Sequence, residues 1–249
     1  MALLATTWQW LHQNELDIRS WDQWAAQGNF EAQHLAIVGN AGYLSRLSQG
    51  RRIDAQDYVL RMNNFVTEGF QRQVGKRTDL WMTSFFEDIC LTRPELRTVA
   101  DIFCSVPFNF MRGSGERRLN QRHALAIGRG LRHLDRQTAY VPSLAFFEHY
   151  RQELGRYPTT GAMAILLACQ LLIPLGMSVY VTGFSFFQGQ SHYYSPEQVR
   201  VRNHDLQRER LLLQKVVAPH CDSGRLEIDP FMGEYLESGT PTWRGRAAA

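Results

Sequence analysis

HLAIVGNAGYLSRLSQGRRIDAQDYVLRMNNF, from His34 to Phe65, contains two short apolar runs that each end in asparagine. Leu35–Val38 leads into Gly39-Asn40-Ala41-Gly42, and Tyr58-Val59-Leu60 leads into Arg61-Met62-Asn63-Asn64. Short apolar runs closed by turn formers read as buried strands. In an open α/β sheet, ligands sit beyond the carboxyl ends of such strands. Gly39 and Gly42 allow a sharp turn there, with a short helix starting just after. An Asn side chain offers a donor and an acceptor without charge, so Asn40 and Asn63 suit a ribose, a base edge or a phosphate. On local grounds alone both serve equally well as turn residues, because Asn tolerates left-handed backbone.

Working outward, similar runs at Leu80–Thr83, Ile102–Val106, Ala139–Val141, Ser178–Thr182 and Leu226–Ile228 read as further strands beside Leu35–Val38 and Tyr58–Arg61. Helix candidates lie between them near Leu44–Ser48, Glu116–Ala126, Leu144–Glu153, Gly161–Ile173 and His204–Val217. This alternation predicts an α/β fold, a mostly parallel twisted sheet with helices on both faces. Residues 1–249 read as a single domain. Residues 1–30 are expected to form a helical segment carrying Trp8, Leu11, Leu16 and Trp24, and 111–136 an arginine-rich insertion or lid.

The 249 residues are 44% hydrophobic and 20% charged, with a formal net charge of +3, which excludes a disordered chain and argues against a dedicated nucleic-acid binder. Cys90, Cys104, Cys169 and Cys221 lie far apart with no CxxC pair, so free thiols are expected rather than a zinc site. The first residues lack the basic start of a signal peptide. The longest apolar run, AMAILLACQLLIPLGM, contains Gln and Pro and is too short to span a bilayer. A cytoplasmic protein is expected.

Two rival motifs fail on spacing. GNAG is not GxGxxG, which leaves a Rossmann oxidoreductase unsupported. GFQRQVGKRT resembles a P-loop, but five residues separate Gly69 from Gly75 and no strand feeds it.

Three other stretches carry chemistry. In RYPTTGAMAILLACQLL, Pro158 precedes Thr159 and Thr160, either able to cap the helix that follows. A helix N-terminus suits a phosphate or carboxylate, and Gly161 permits close approach; a capped core helix explains the same residues. In VYVTGFSFFQGQSHYYSPEQ a strand ends at Thr182-Gly183, and His192 precedes a helix start marked by Ser195, Pro196 and Gln198. A histidine there can donate to a leaving phosphate, or simply pack. In NHDLQRERLLLQKVV, His204 is placed to act as a general base for a hydroxyl. On a helix starting at His204, Glu209 stands roughly 140° away and shares no face with it. An ordinary solvated helix face is the other reading.

Together and in this order, these stretches resemble the animal-type sialyltransferase family, glycosyltransferase family 29. VGNAG…GRRIDAQDYVLRMNN…GFQRQVGKRTD is similar to its large motif, PTTG followed by VYVTGF to its small motif, HYY to its third and HDLQRE to its very small one. The resemblance covers roughly Ala36 to Thr83 and Pro158 to Glu209. It implies a Rossmann-like domain, a GT-A-like variant, that moves a sugar acid from a CMP-sugar onto an acceptor hydroxyl with inversion and without a metal or other cofactor.

By position, the resemblance assigns Asn40 and Asn63 to the CMP phosphate and ribose. It assigns Thr159, Thr160 and Gly161 to the donor's carboxylate and nucleotide, and Gly183 to the cytidine. His192 would stabilise the departing phosphate and His204 would deprotonate the acceptor, with Gly39, Gly42 and Glu209 in support. The implied partners are CMP-sialic acid or CMP-Kdo and a glycan or glycolipid acceptor, lipopolysaccharide or capsule for Kdo. No nucleic acid is expected.

Two departures stand out. The family's inter-motif disulfide has no counterpart, since His34 or Leu35 occupies the place of its first cysteine and Cys169 lacks an evident partner. The family's N-terminal membrane anchor is likewise not expected here. Both fit a bacterial relative, cytoplasmic or peripheral at the inner membrane. Arg112, Arg117, Arg118, Arg122, Arg129, Arg132 and Arg136 read as a solvated helix face or as contacts to an anionic acceptor or membrane. The non-enzyme alternative is an inactive nucleotide- or glycan-binding module.

Overall fold

Eight strands, β1 (Asp17–Ser20), β2 (His34–Val38), β3 (Tyr58–Met62), β4 (Leu80–Thr83), β5 (Asp101–Cys104), β6 (Thr138–Val141), β7 (Ser178–Thr182) and β8 (Leu226–Ile228), form one sheet in the order β1-β6-β5-β4-β3-β2-β7-β8. Every neighbouring pair is parallel. This is a computed structural model, and it describes residues 15–85, 94–107, 125–187, 192–195 and 203–238.

The central strands are apolar throughout because both faces are covered. In β2, Leu35 and Ile37 join one buried cluster while Ala36 and Val38 join the other. In β7, Val179 and Val181 alternate with Tyr180 in the same way. That double burial is why these runs do not alternate with polar residues. Helices α1 (Trp21–Ala25), α2 (Gly50–Asp54), α3 (Gln71–Val74), α4 (Leu144–Leu154), α5 (Thr160–Leu167), α6 (Leu206–Asp222) and α7 (Pro230–Ser238) surround the sheet, as does a helical stretch at 125–133. Ala162 to Leu167 of α5 are all buried, which makes it the central helix of the larger cluster.

From β2 to β6 the chain adds strands in one direction, and it then returns to place β7 on the other side of β2. The reversal makes the gap beyond β2 and β7 the topological switch point, where a parallel sheet opens a crevice at its carboxyl edge.

Several expected elements differ. Within the segment expected to be helical, Asp17–Ser20 is a strand pairing with β6, and the helix is confined to Trp21–Ala25. Leu16 and Trp24 are buried; Trp8 and Leu11 lie outside the described residues. Leu44–Ser48 is replaced by a 3-10 turn at Gly42–Arg46. The long helix expected over Gly161–Ile173 widens into a π turn at Ala168–Leu172 and ends in a 3-10 turn at Ile173–Leu175. Pro174 has no N–H to continue the α ladder, which accounts for the change. The helix expected at His204 starts at Leu206, capped by Asp205 accepting from the Arg208 N–H at 3.0 Å. Most of the expected Glu116–Ala126 helix, and Arg112, Arg117, Arg118 and Arg122, lie outside the described residues, as do Pro196, Gln198 and Cys90. Cys104, Cys169 and Cys221 are free thiols.

On the smaller face, Arg61 of β3 is fully buried. It donates to the Val74 and Arg77 carbonyls at 2.6 and 2.9 Å and to the Thr78 hydroxyl at 3.1 Å. Burial lowers its pKa to about 10. These bonds pin the segment after α3 beneath β3. In the P-loop lookalike beside it, the Lys76 and Arg77 N–H groups both donate to the Asp54 carboxylate at 3.0 Å. An intramolecular carboxylate therefore occupies the place a phosphate would need.

Candidate active site

The loops after β2, β3, β5 and β7 meet at the carboxyl edge of the sheet. Two glycines set how closely they meet. The Gly39 N–H donates to the Thr182 carbonyl at 2.8 Å, and the Ala41 N–H donates to Gly183 at 2.9 Å. A Cβ on Gly39 would lie 2.1 Å from the Gly183 oxygen, so no side chain fits. Gly183 has φ +86°, the left-handed region that glycine adopts without strain. Gly42 is buried at the start of the 3-10 turn, where its carbonyl accepts from the Ser45 hydroxyl at 2.8 Å.

Asn40 ties two of these loops together. Its Nδ2 donates to the Met62 carbonyl at 3.1 Å and to the Asn64 carbonyl at 2.9 Å. Two carbonyl neighbours fix the amide's orientation, because only the NH2 can donate to them. The Asn40 Oδ1 is buried and has no partner among the described residues. A free acceptor repels a phosphate and suits a hydroxyl or amine donor. Asn63 sits at φ 48°, with its N–H donating to Met82 at 2.9 Å and its carbonyl accepting from Trp81 Nε1 at 3.0 Å.

His192 is held against the same loops by the two tyrosines that follow it. The Tyr193 N–H donates to the Asn40 carbonyl at 3.0 Å. The Tyr193 hydroxyl donates to the Val66 carbonyl, and the Tyr194 hydroxyl to that of Asn64. The His192 ring stacks on Tyr194 at 5.1 Å and 9°. Burial holds its pKa below the ordinary imidazole value.

On the other side of the crevice, α5 begins at Thr160 with Thr159 as N-cap. The Thr159 hydroxyl accepts from the Ala162 N–H at 3.0 Å and donates to Glu209 Oε1 at 2.7 Å, while its N–H donates to Glu209 Oε2 at 2.8 Å. Its hydroxyl and N–H are thus engaged within the protein, in the helix cap and with Glu209. Thr160 Oγ1 lies 3.2 Å from Ser105 Oγ, at the end of β5. A Cβ on Gly161 would lie 2.6 Å from Phe184 Cε1, so the Phe184 ring already uses the space that glycine leaves. The Thr160 and Gly161 N–H groups, first in the helix, have no acceptor among the described residues.

Glu209 is only 2% exposed, and burial raises its pKa to about 7. Because His204 precedes the helix, the angular separation expected on a shared helix does not apply. Both residues instead reach the short segment ahead of α5. His204 Nδ1 is 2.6 Å from the Tyr157 carbonyl. A carbonyl only accepts, so Nδ1 carries the proton and Nε2 keeps a lone pair. Burial lowers the His204 pKa, with the Tyr157 bond acting in the opposite direction. The imidazole is therefore neutral at pH 7 and able to take a proton.

Sequence reading missed Tyr43 and Asp229. Buried Asp229, just after β8, accepts from the Tyr43 hydroxyl at 2.5 Å and from the Gly183 N–H at 3.1 Å. A lone Tyr and a lone Asp 186 positions apart carry no local signal. Among the described residues no three His, Cys, Asp or Glu side chains cluster as a metal site would need. No described helix is long and apolar enough to cross a membrane.

The model of glycosyltransferase family 29 (sialyltransferase) matches residues 6–221. Among similar proteins, the CMP-N-acetylneuraminate-beta-galactosamide-alpha-2,3-sialyltransferase 1 of Gallus gallus is 28% identical over 182 residues, covering 68% of this chain and 49% of that protein. The type 2 lactosamine alpha-2,3-sialyltransferase of Homo sapiens is 26% identical over 220 residues, 80% of this chain and 66% of that protein. This chain thus spans about half to two thirds of these relatives' length. A solved structure of a mammalian sialyltransferase superposes with a TM-score of 0.52 at 22% identity, over 79% of this chain and 68% of that one, and shows the same fold.

Proposed function

This chain belongs to glycosyltransferase family 29, the sialyltransferases, and from that membership we propose that it moves sialic acid from CMP-sialic acid to a glycan hydroxyl, with inversion and without a metal ion. His204 Nε2 takes the proton of the acceptor hydroxyl. The acceptor oxygen bonds to the anomeric carbon as the bond from that carbon to the phosphate oxygen breaks. The electron pair leaves on CMP, where His192 donates a hydrogen bond to the phosphate. A neutral His192 supplies that bond without charge, and the arriving phosphate raises its proton affinity.

The first N–H groups of α5, at Thr160 and Gly161, suit the donor's carboxylate. Asn40 Oδ1, an acceptor, suits a ribose hydroxyl or the cytosine amine. Asn63 and Gly183 line the nucleotide side. Thr159 and Glu209 set the position of the helix start and make no contact with the donor. The tautomer of His204 carries the reading, because the Tyr157 carbonyl leaves Nε2 free as a base.

The test is incubation with CMP-sialic acid and a panel of glycans in EDTA, followed by mass spectrometry. The panel includes β-galactosides, in view of the relatives' names, and CMP-Kdo is run in parallel. Sialylated product is expected from the wild type but not from His204→Ala, which still binds CMP. Kdo-bearing product alone would reassign the donor, and CMP binding without turnover would mark a binding module.

A further inference from the structure

The Gly183–Phe184 turn is held from behind by Tyr43 and Asp229. The Tyr43 hydroxyl accepts from the Gly183 N–H at 2.8 Å and from the Phe184 N–H at 3.1 Å, and it donates to Asp229 Oδ2. The same Oδ2 accepts from the Gly183 N–H, while Oδ1 accepts from the Phe231 and Met232 N–H groups at 2.9 and 3.0 Å. The Asp229 N–H donates to Val181 at 3.0 Å, and the Tyr43 ring stacks on Phe231 at 5.1 Å. A buried carboxylate with this many donors is fully satisfied, and its geometry is fixed. Asp229 follows residue 221, where the family match ends.

This arrangement has a direct effect on the crevice. At the end of a strand beside an anion site, two consecutive N–H groups could turn toward a ligand. Here both point to Tyr43 instead. Gly183 is thereby kept at φ +86°, and the Phe184 ring stays against Gly39 and Gly161, 3.3 and 2.6 Å from where their Cβ atoms would lie. The ring forms a wall between the β2 loop and the start of α5.

We propose that Tyr43 and Asp229 are positioning residues of the nucleotide site, holding the Gly183–Phe184 turn so that the Phe184 ring shapes the crevice for the donor. The proposal rests on the donor-binding reading above. His204 and His192 are held by separate contacts, to Tyr157 and to the loops after β2 and β3. Losing the Tyr43–Asp229 link therefore weakens donor binding more than it slows transfer.

The experiment compares wild type, Tyr43→Phe and Asp229→Asn in the full chain by CMP calorimetry, steady-state transfer from CMP-sialic acid and thermal unfolding. Tyr43→Phe keeps the ring on Phe231 but leaves the Phe184 N–H unpaired. CMP Kd and donor KM are expected to rise about tenfold, with kcat within about twofold. Asp229→Asn has one acceptor oxygen where two are used, so its rise is expected to be at least as large. Should Tyr43→Phe fail to fold, Asp229→Asn serves for the same comparison. Unchanged Kd and KM in a folded variant, or a loss confined to kcat, would overturn the positioning role and leave the donor reading intact. No CMP binding by the wild type would overturn both.

Discussion

Replacing Glu209 by Gln isolates the buried carboxylate that holds Thr159. In the folded protein its pKa is raised to about 7 from an ordinary 4.5, because burial disfavours the charge more than the two Thr159 bonds favour it. Below pH 4.5 the folded and unfolded chains both hold the proton. Between pH 4.5 and 7 only the folded chain holds it, so stability falls as pH rises through that window. Above pH 7 the loss is complete, and the difference amounts to about 3 kcal/mol. Gln does not titrate and can still accept from Thr159. Urea unfolding of both proteins from pH 4 to 8 should show the wild type losing about 3 kcal/mol relative to Glu209→Gln, with most of the change between pH 5 and 7. A difference that stays flat, or that grows in the wild type's favour as pH rises, would refute the reasoning. Glu209→Ala, which removes the clamp in both protonation states, is expected to lower transfer far more than Glu209→Gln.

Other outcomes follow from the same contacts. Asn40→Asp sets a carboxylate oxygen against the Met62 and Asn64 carbonyls, and urea unfolding at pH 7 should show a loss of about 2–4 kcal/mol, along with weaker CMP binding by calorimetry. A neutral effect would mean that the Asn40 amide does not tie the two loops. Because burial holds His204 below the usual imidazole value, the acid limb of kcat/KM should have its midpoint below pH 6.5. A midpoint above pH 7 would assign the base to another group.

The sheet was legible in the chain because β2, β3, β4 and β7 are buried on both faces, and continuous apolar runs express that burial directly. β1 was not, since Asp-Ile-Arg-Ser is a half-buried edge strand with no apolar run. The start of α5 was legible from Pro158 and the two threonines. Which threonine caps the helix, and which side chain then holds that cap, was not. Glu209 lies 50 positions away and meets Thr159 only through the packing of α6 on α5. Asn40 was legible as a site residue, but the direction of its amide depends on two carbonyls in another loop. Arg61 shows the same limit: in sequence it is one charge in an apolar run, and only the fold supplies the carbonyls that make its burial tolerable.

The central claim is that CMP binds at the carboxyl edge of the sheet, between β2 and β7. Amide chemical shifts of the isotopically labelled chain, followed during a CMP titration in EDTA, test it most directly. The account predicts saturable changes concentrated at residues 39–42, 63–65, 160–162, 183–184 and 192–194. No saturable change, or changes confined to the amino edge of the sheet, would contradict it.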